Sequence, residues 1–71
     1  MRLNSEPECL QAIDEWKKYS PEAQMRNLNQ AIEALELDQM YYEGKGSEKP
    51  AERCGKCLEI LHRRLSELNS G

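Results

Sequence analysis

The chain has no phenylalanine, one tryptophan and three tyrosines among 71 residues, so aromatic residues supply little of any core. It lacks an apolar run near 18 residues, which excludes a membrane-spanning helix. The first residues, MRLNSEPE, lack the apolar stretch of a secretory signal. A cytoplasmic location is therefore expected, with the three cysteines reduced there. No strand-like alternation, internal repeat or low-complexity tract is present. Charged residues make up 32% and hydrophobic residues 38%, a wet composition, yet the apolar positions are periodic, which argues against disorder. The length allows one small domain, residues 1–71. A core of that size supplies only about 3–5 kcal/mol unless a disulfide, a metal or a partner helps.

What the sequence does contain is helix punctuation. Ser5-Glu6-Pro7-Glu8 places a capping serine before a proline, with Glu8 three residues on as a capping box requires. A first helix over about 6–19 follows, with Cys9, Ile13 and Trp16 as its apolar stripe. Ser20-Pro21 repeats the start signal. The second helix then meets no breaker until Gly44 and Gly46, giving an expected span of 21–43. A third runs over 49–68, with Gly55 costing it roughly 1 kcal/mol relative to alanine.

The two longer helices carry matching stripes. Met25, Leu28, Ile32, Leu35, Gln39 and Tyr42 recur at alternating steps of three and four, and so do Ala51, Cys54, Leu58, Leu61, Leu65 and Leu68. Folding the chain at residues 44–47 pairs them antiparallel: Met25 with Leu68, Leu28 with Leu65, Ile32 with Leu61, Leu35 with Leu58, Gln39 with Cys54, Tyr42 with Ala51. The expected fold is all-α: an antiparallel, coiled-coil-like helical hairpin with a shorter N-terminal helix packed on it. In architecture and length this resembles the short hairpin co-chaperones of bacterial secretion systems and small phage-encoded helical regulators.

Several features invite a chemical reading. Cys54 and Cys57 form a Cys-x-x-Cys, but a structural zinc site needs four ligands, and the sequence offers one pair, Cys9 and His62. Cys54 and His62 lie ~12 Å apart along a helix, too far for one ion. Redox motifs of this kind follow a strand, and none is predicted. Packing is the favoured role, with a metal- or thiol-dependent sensor using Cys54 and Cys57 as the alternative. Gly44-Lys45-Gly46-Ser47 falls short of a phosphate-loop pattern and reads as the hairpin turn. His62, Arg63 and Arg64 have no evident nucleophile or acid partner, so no catalytic residues and no cofactor are expected.

Charge is unevenly spread. Residues 1–44 hold four Lys/Arg and nine Asp/Glu, a net −5, while residues 45–71 hold six and four, a net +2. Lys49, Arg53, Lys56, Arg63 and Arg64 fall on one side of the third helix. A nucleic-acid-binding regulator is a second alternative, weakened by the acidic whole and by interrupting glutamates. The apolar residues left over by the seam point elsewhere. Leu37, Met40 and Tyr41 project from the second helix near the turn, beyond the reach of the first, and Ile60 projects from the third. Contiguous exposed apolar surface marks an interface. The expectation is a non-enzymatic protein-interaction module (an adaptor, co-chaperone or regulatory subunit) binding a protein partner or itself. Its contacts are expected through Leu37, Met40, Tyr41 and Ile60, with charge steering from Arg63 and Arg64. No small-molecule substrate, nucleic acid or membrane is expected as partner.

Overall fold

The computed structural model describes residues 5–70 and contains three helices: α1, Glu6–Trp16; α2, Pro21–Lys45; and α3, Glu48–Ser70. The N-terminal segment read above for a signal lies partly outside the described residues. None of the described helices is long and apolar enough to cross a membrane.

Each boundary has a local cause. At α2 the Ser20 hydroxyl accepts from the backbone N–H of Ala23 at 3.2 Å, satisfying a donor the helix cannot pair internally. At α1 the expected capping box does not form. The Ser5 hydroxyl instead donates to the Glu8 carboxylate at 3.1 Å, and only the Ser5 backbone carbonyl joins the helix, accepting from Cys9 N–H. The α1 helix also ends at Trp16, earlier than expected, because Lys17–Tyr19 tighten into a turn in which Tyr19 N–H bonds the Trp16 carbonyl.

At the far end Gly44 remains helical and only Gly46 stops α2. Gly46 takes φ +77°, Ser47 N–H bonds the Tyr42 carbonyl, and Gly46 N–H bonds the Glu43 carbonyl. This pair of bonds is the Schellman closure, and it needs one left-handed residue, not two. The α3 helix begins immediately, with the Ser47 carbonyl accepting from Ala51 N–H. A single-glycine reversal between helices of 25 and 23 residues forces them antiparallel and side by side. The 25 residues of α2, at ~1.5 Å each, match the 38 Å long axis of the molecule.

The seam lies where the periodicity puts it. Leu28, Ile32 and Leu35 of α2 and Cys54, Leu58 and Leu61 of α3 are all buried in one cluster, with Tyr42, Leu65 and Leu68 partly buried around it. The polar layer is in register as well. A Cβ added at Gly55 would sit 3.3 Å from Gln39 Nε2, so Gly55 gives the Gln39 amide room beside Cys54.

The shortest helix, α1, completes the core from one flank. The α1 helix lies chiefly against α3 and contributes Cys9, Ala12 and Ile13. Glu6 pairs with Lys56 at 3.8 Å, while Lys17 at the other end shares a groove with Arg64. The α1 helix therefore runs parallel to α3, as the short turn into α2 requires. Two readings change with this docking. Cys57, placed at the edge of the seam, is fully buried on the α1 side. Ile60, expected on the outer face, is half-buried for the same reason: α1 covers that flank.

Candidate interaction surface

The outer face of α2 carries the largest exposed apolar side chains of the described residues. Leu37 is 67% exposed, Met40 68% and Tyr41 59%. The cause is geometric: α3 takes the opposite face of α2, and α1 docks chiefly on α3, leaving the outer face of α2 uncovered. Leu37 and Met40 share a shallow depression with Glu33 and Glu36. Positions 33, 36, 37 and 40 follow the spacing that aligns side chains on one helical stripe, so this is a greasy ridge with an acidic border. Tyr41 stands at its end and is braced locally. Lys45 Nζ donates to the Tyr41 hydroxyl at 3.1 Å and lies 5.0 Å from the ring centroid, and the Tyr42 ring meets Tyr41 edge-on at 5.5 Å.

The remaining candidates lie elsewhere. Ile60, Arg63 and Arg64 line a groove between α1 and α3 together with Leu10, Ile13, Lys17 and Glu67. Arg63 is exposed, but Arg64 is only half-exposed. Its Nη2 donates to Gln24 Oε1 at 3.0 Å and its Nη1 lies 3.4 Å from Glu67 Oε1, while its buried Nε has no partner among the described residues. Gln24 is itself 6% exposed, and its amide nitrogen donates to the Tyr19 carbonyl at 2.9 Å. Arg64 is thus a strut joining α3 to the start of α2 and to the α1–α2 turn. Arg64, expected to add charge steering beside Arg63, therefore holds its charge in a fixed position. A half-buried Arg bridging elements is hard to foresee, because Arg63 and Arg64 look alike in sequence.

The cysteines form a buried trio. Cys9 and Cys57 are fully buried and in hydrogen-bond contact, and Cys54 is 7% exposed. All three are free thiols. Burial, the Cys57 contact and nearby negative charge together push the Cys9 pKa up from its usual 9.0. Burial and then the Asp38 carboxylate do the same at Cys54. Thiols held protonated and shielded behave as small apolar side chains, not nucleophiles. Among the described residues no group of three or more His, Cys, Asp and Glu is arranged to hold a metal ion. His62 is exposed.

On the basic side of α3, Lys56 is engaged by Glu6 and Arg64 by Gln24 and Glu67. The cationic stripe is thereby partly spent on holding the three helices together. Comparison with protein-family models, curated proteins and solved structures finds no match.

Proposed function

We propose that this chain is a non-enzymatic protein-interaction module of the cytoplasm, an adaptor, co-chaperone or regulatory subunit that works by helix-on-helix docking. The observation that carries the reading is the ridge of Leu37, Met40 and Tyr41, each more than half exposed and adjacent on one helix. Their exposure is costly in water and useful at an interface, where Met and aromatic residues are enriched. The small core gives the same reading a second support, because a partner adds stability by mass action that 71 residues do not easily supply alone. The reading assigns no catalytic residue and no cofactor. A thiol sensor built on Cys54 and Cys57 has less support, since a sensor thiol is exposed and acidic while these are buried. A nucleic-acid role has less still, with part of the basic stripe already paired.

A photo-crosslinking residue at position 40 tests the proposal, with one at Glu15 on the solvent face of α1 as control. In native lysate the position-40 probe should give discrete protein adducts that the control does not. Adding Leu37→Glu and Tyr41→Glu should abolish them while helicity by circular dichroism stays unchanged. Identical adduct patterns from the two positions would defeat the reading.

A further inference from the structure

The ridge on α2 and the groove between α1 and α3 each carry apolar side chains, bordered by charges of opposite sign. The groove has an apolar floor of Leu10, Ile13 and Ile60 and a rim that is net positive, with Lys17, Arg63 and Arg64 against one carboxylate, Glu67. Its volume is about 170 Å³. Small-molecule sites run to roughly 300–1,000 Å³, so the groove suits a side chain or two better than a metabolite. The ridge offers Leu37 and Met40, bordered by Glu33 and Glu36.

The rim is prepared for such a guest. Arg64 is fixed by Gln24 and Glu67 and cannot swing away without breaking those bonds. Lys17 is held only by an exposed pair with Asp14 at 3.7 Å, worth little and easily exchanged. Arg63 makes no ion pair among the described residues. The same opposition runs through the whole chain, net −5 over residues 1–44 and net +2 over residues 45–71.

We infer that the α2 ridge (Leu37 and Met40, with Glu33 and Glu36) docks into the α1–α3 groove of a second copy of this chain. This deepens the proposed function and rests on it, by naming the partner. Ridge and groove are different patches, so the contact is head-to-tail. It propagates as chains, or closes where two such contacts surround a two-fold axis. A single ridge in a single groove buries well under the ~1,000 Å² of a stable interface, which makes the association weak and concentration-dependent.

Sedimentation of the full, reduced chain up to about 1 mM tests this, the range in which weak contacts register. The wild type should associate, and less so when salt is raised and the charges are screened. Met40→Glu spoils the ridge and Arg63→Glu the groove, and each alone should weaken association about ten-fold or more, the equivalent of ~1.4 kcal/mol. Both positions are exposed, so both variants should keep wild-type helicity. Mixed together, they should recover a 1:1 heterodimer, because the intact ridge of one meets the intact groove of the other. A wild type that stays monomeric at the highest concentration overturns the inference, and so does a mixture that fails to recover. Position-40 photo-adducts separate the two claims. A mass of two chains supports self-docking. A foreign mass, with the wild type monomeric, sinks self-docking and leaves the interaction module standing.

Discussion

The two flanks of α3 are built differently. The flank facing α2 is a repeating seam of Leu, Ile and one Cys, in which successive layers follow the same step. The flank facing α1 is a patchwork: a fully buried thiol pair, Cys9 and Cys57, then a half-buried Ile60 beside Leu10 and Ile13. The first flank is specified by period and length, so it tolerates no shift of register. The second is specified by individual fits, a small thiol against another small thiol, one isoleucine between two apolar side chains of α1. A long periodic interface holds the hairpin, and a short irregular one seats α1 on it. Neither interface uses the outer face of α2, where Leu37, Met40 and Tyr41 are exposed.

That contrast can be broken or sharpened by truncation. Leu61 is fully buried at the centre of the seam, and Leu61→Ala should cost about 2–5 kcal/mol. In a chain whose core supplies roughly 3–5 kcal/mol this removes most of the fold, readable as lost helicity at 25 °C. The same truncation on the ridge, Leu37→Ala, should change urea-midpoint stability by less than about 0.5 kcal/mol. Equal losses at the two positions would mean that the seam and the ridge are not different kinds of surface.

The α1 flank has its own signature, in pH. Cys9 and Cys54 stay protonated in the folded chain because burial raises their pKa, whereas in the unfolded chain they ionise near the usual 9.0. Above that pH the folded state binds more protons than the unfolded, so stability falls as pH rises; below it the thiol contribution is fully present. For Cys9 the loss approaches about 1.4 kcal/mol per pH unit. Denaturation under reducing conditions at pH 8 and pH 10 should therefore show a steeper decline for the wild type than for Cys9→Ala. Parallel declines would show that the thiol of α1 is not buried against α3.

The seam was readable in the sequence because its signal is redundant: stripe length, spacing and turn position all agree. The exposed ridge followed by subtraction, once the seam had claimed Leu28, Ile32 and Leu35. The α1 flank was not readable in detail. Eleven residues with one apolar stripe do not say which side of a hairpin they will choose. Only Cys57, three residues from Cys54 and off the seam, hinted that α3 had a second buried face. Ile60 and Arg64 were accordingly placed on the outside; α1 covers Ile60, and the bond to Gln24 of α2 draws Arg64 partly inward. The Gly55 position shows a similar limit. Propensity registers its cost to the helix, but the use of the missing side chain appears only when Gln39 is seen 3.3 Å from where a Cβ would be.

The central claim is the mirrored seam, since the ridge is spare only if the seam has taken the opposite face of α2. Methyl–methyl nuclear Overhauser contacts in a selectively labelled sample test it most directly. The account predicts cross-peaks between Leu35 and Leu58 and between Ile32 and Leu61, with none from Leu37 to any methyl of α3 in a dilute monomer. Cross-peaks joining Leu37 to α3 within one chain, with Leu35 silent, would contradict it.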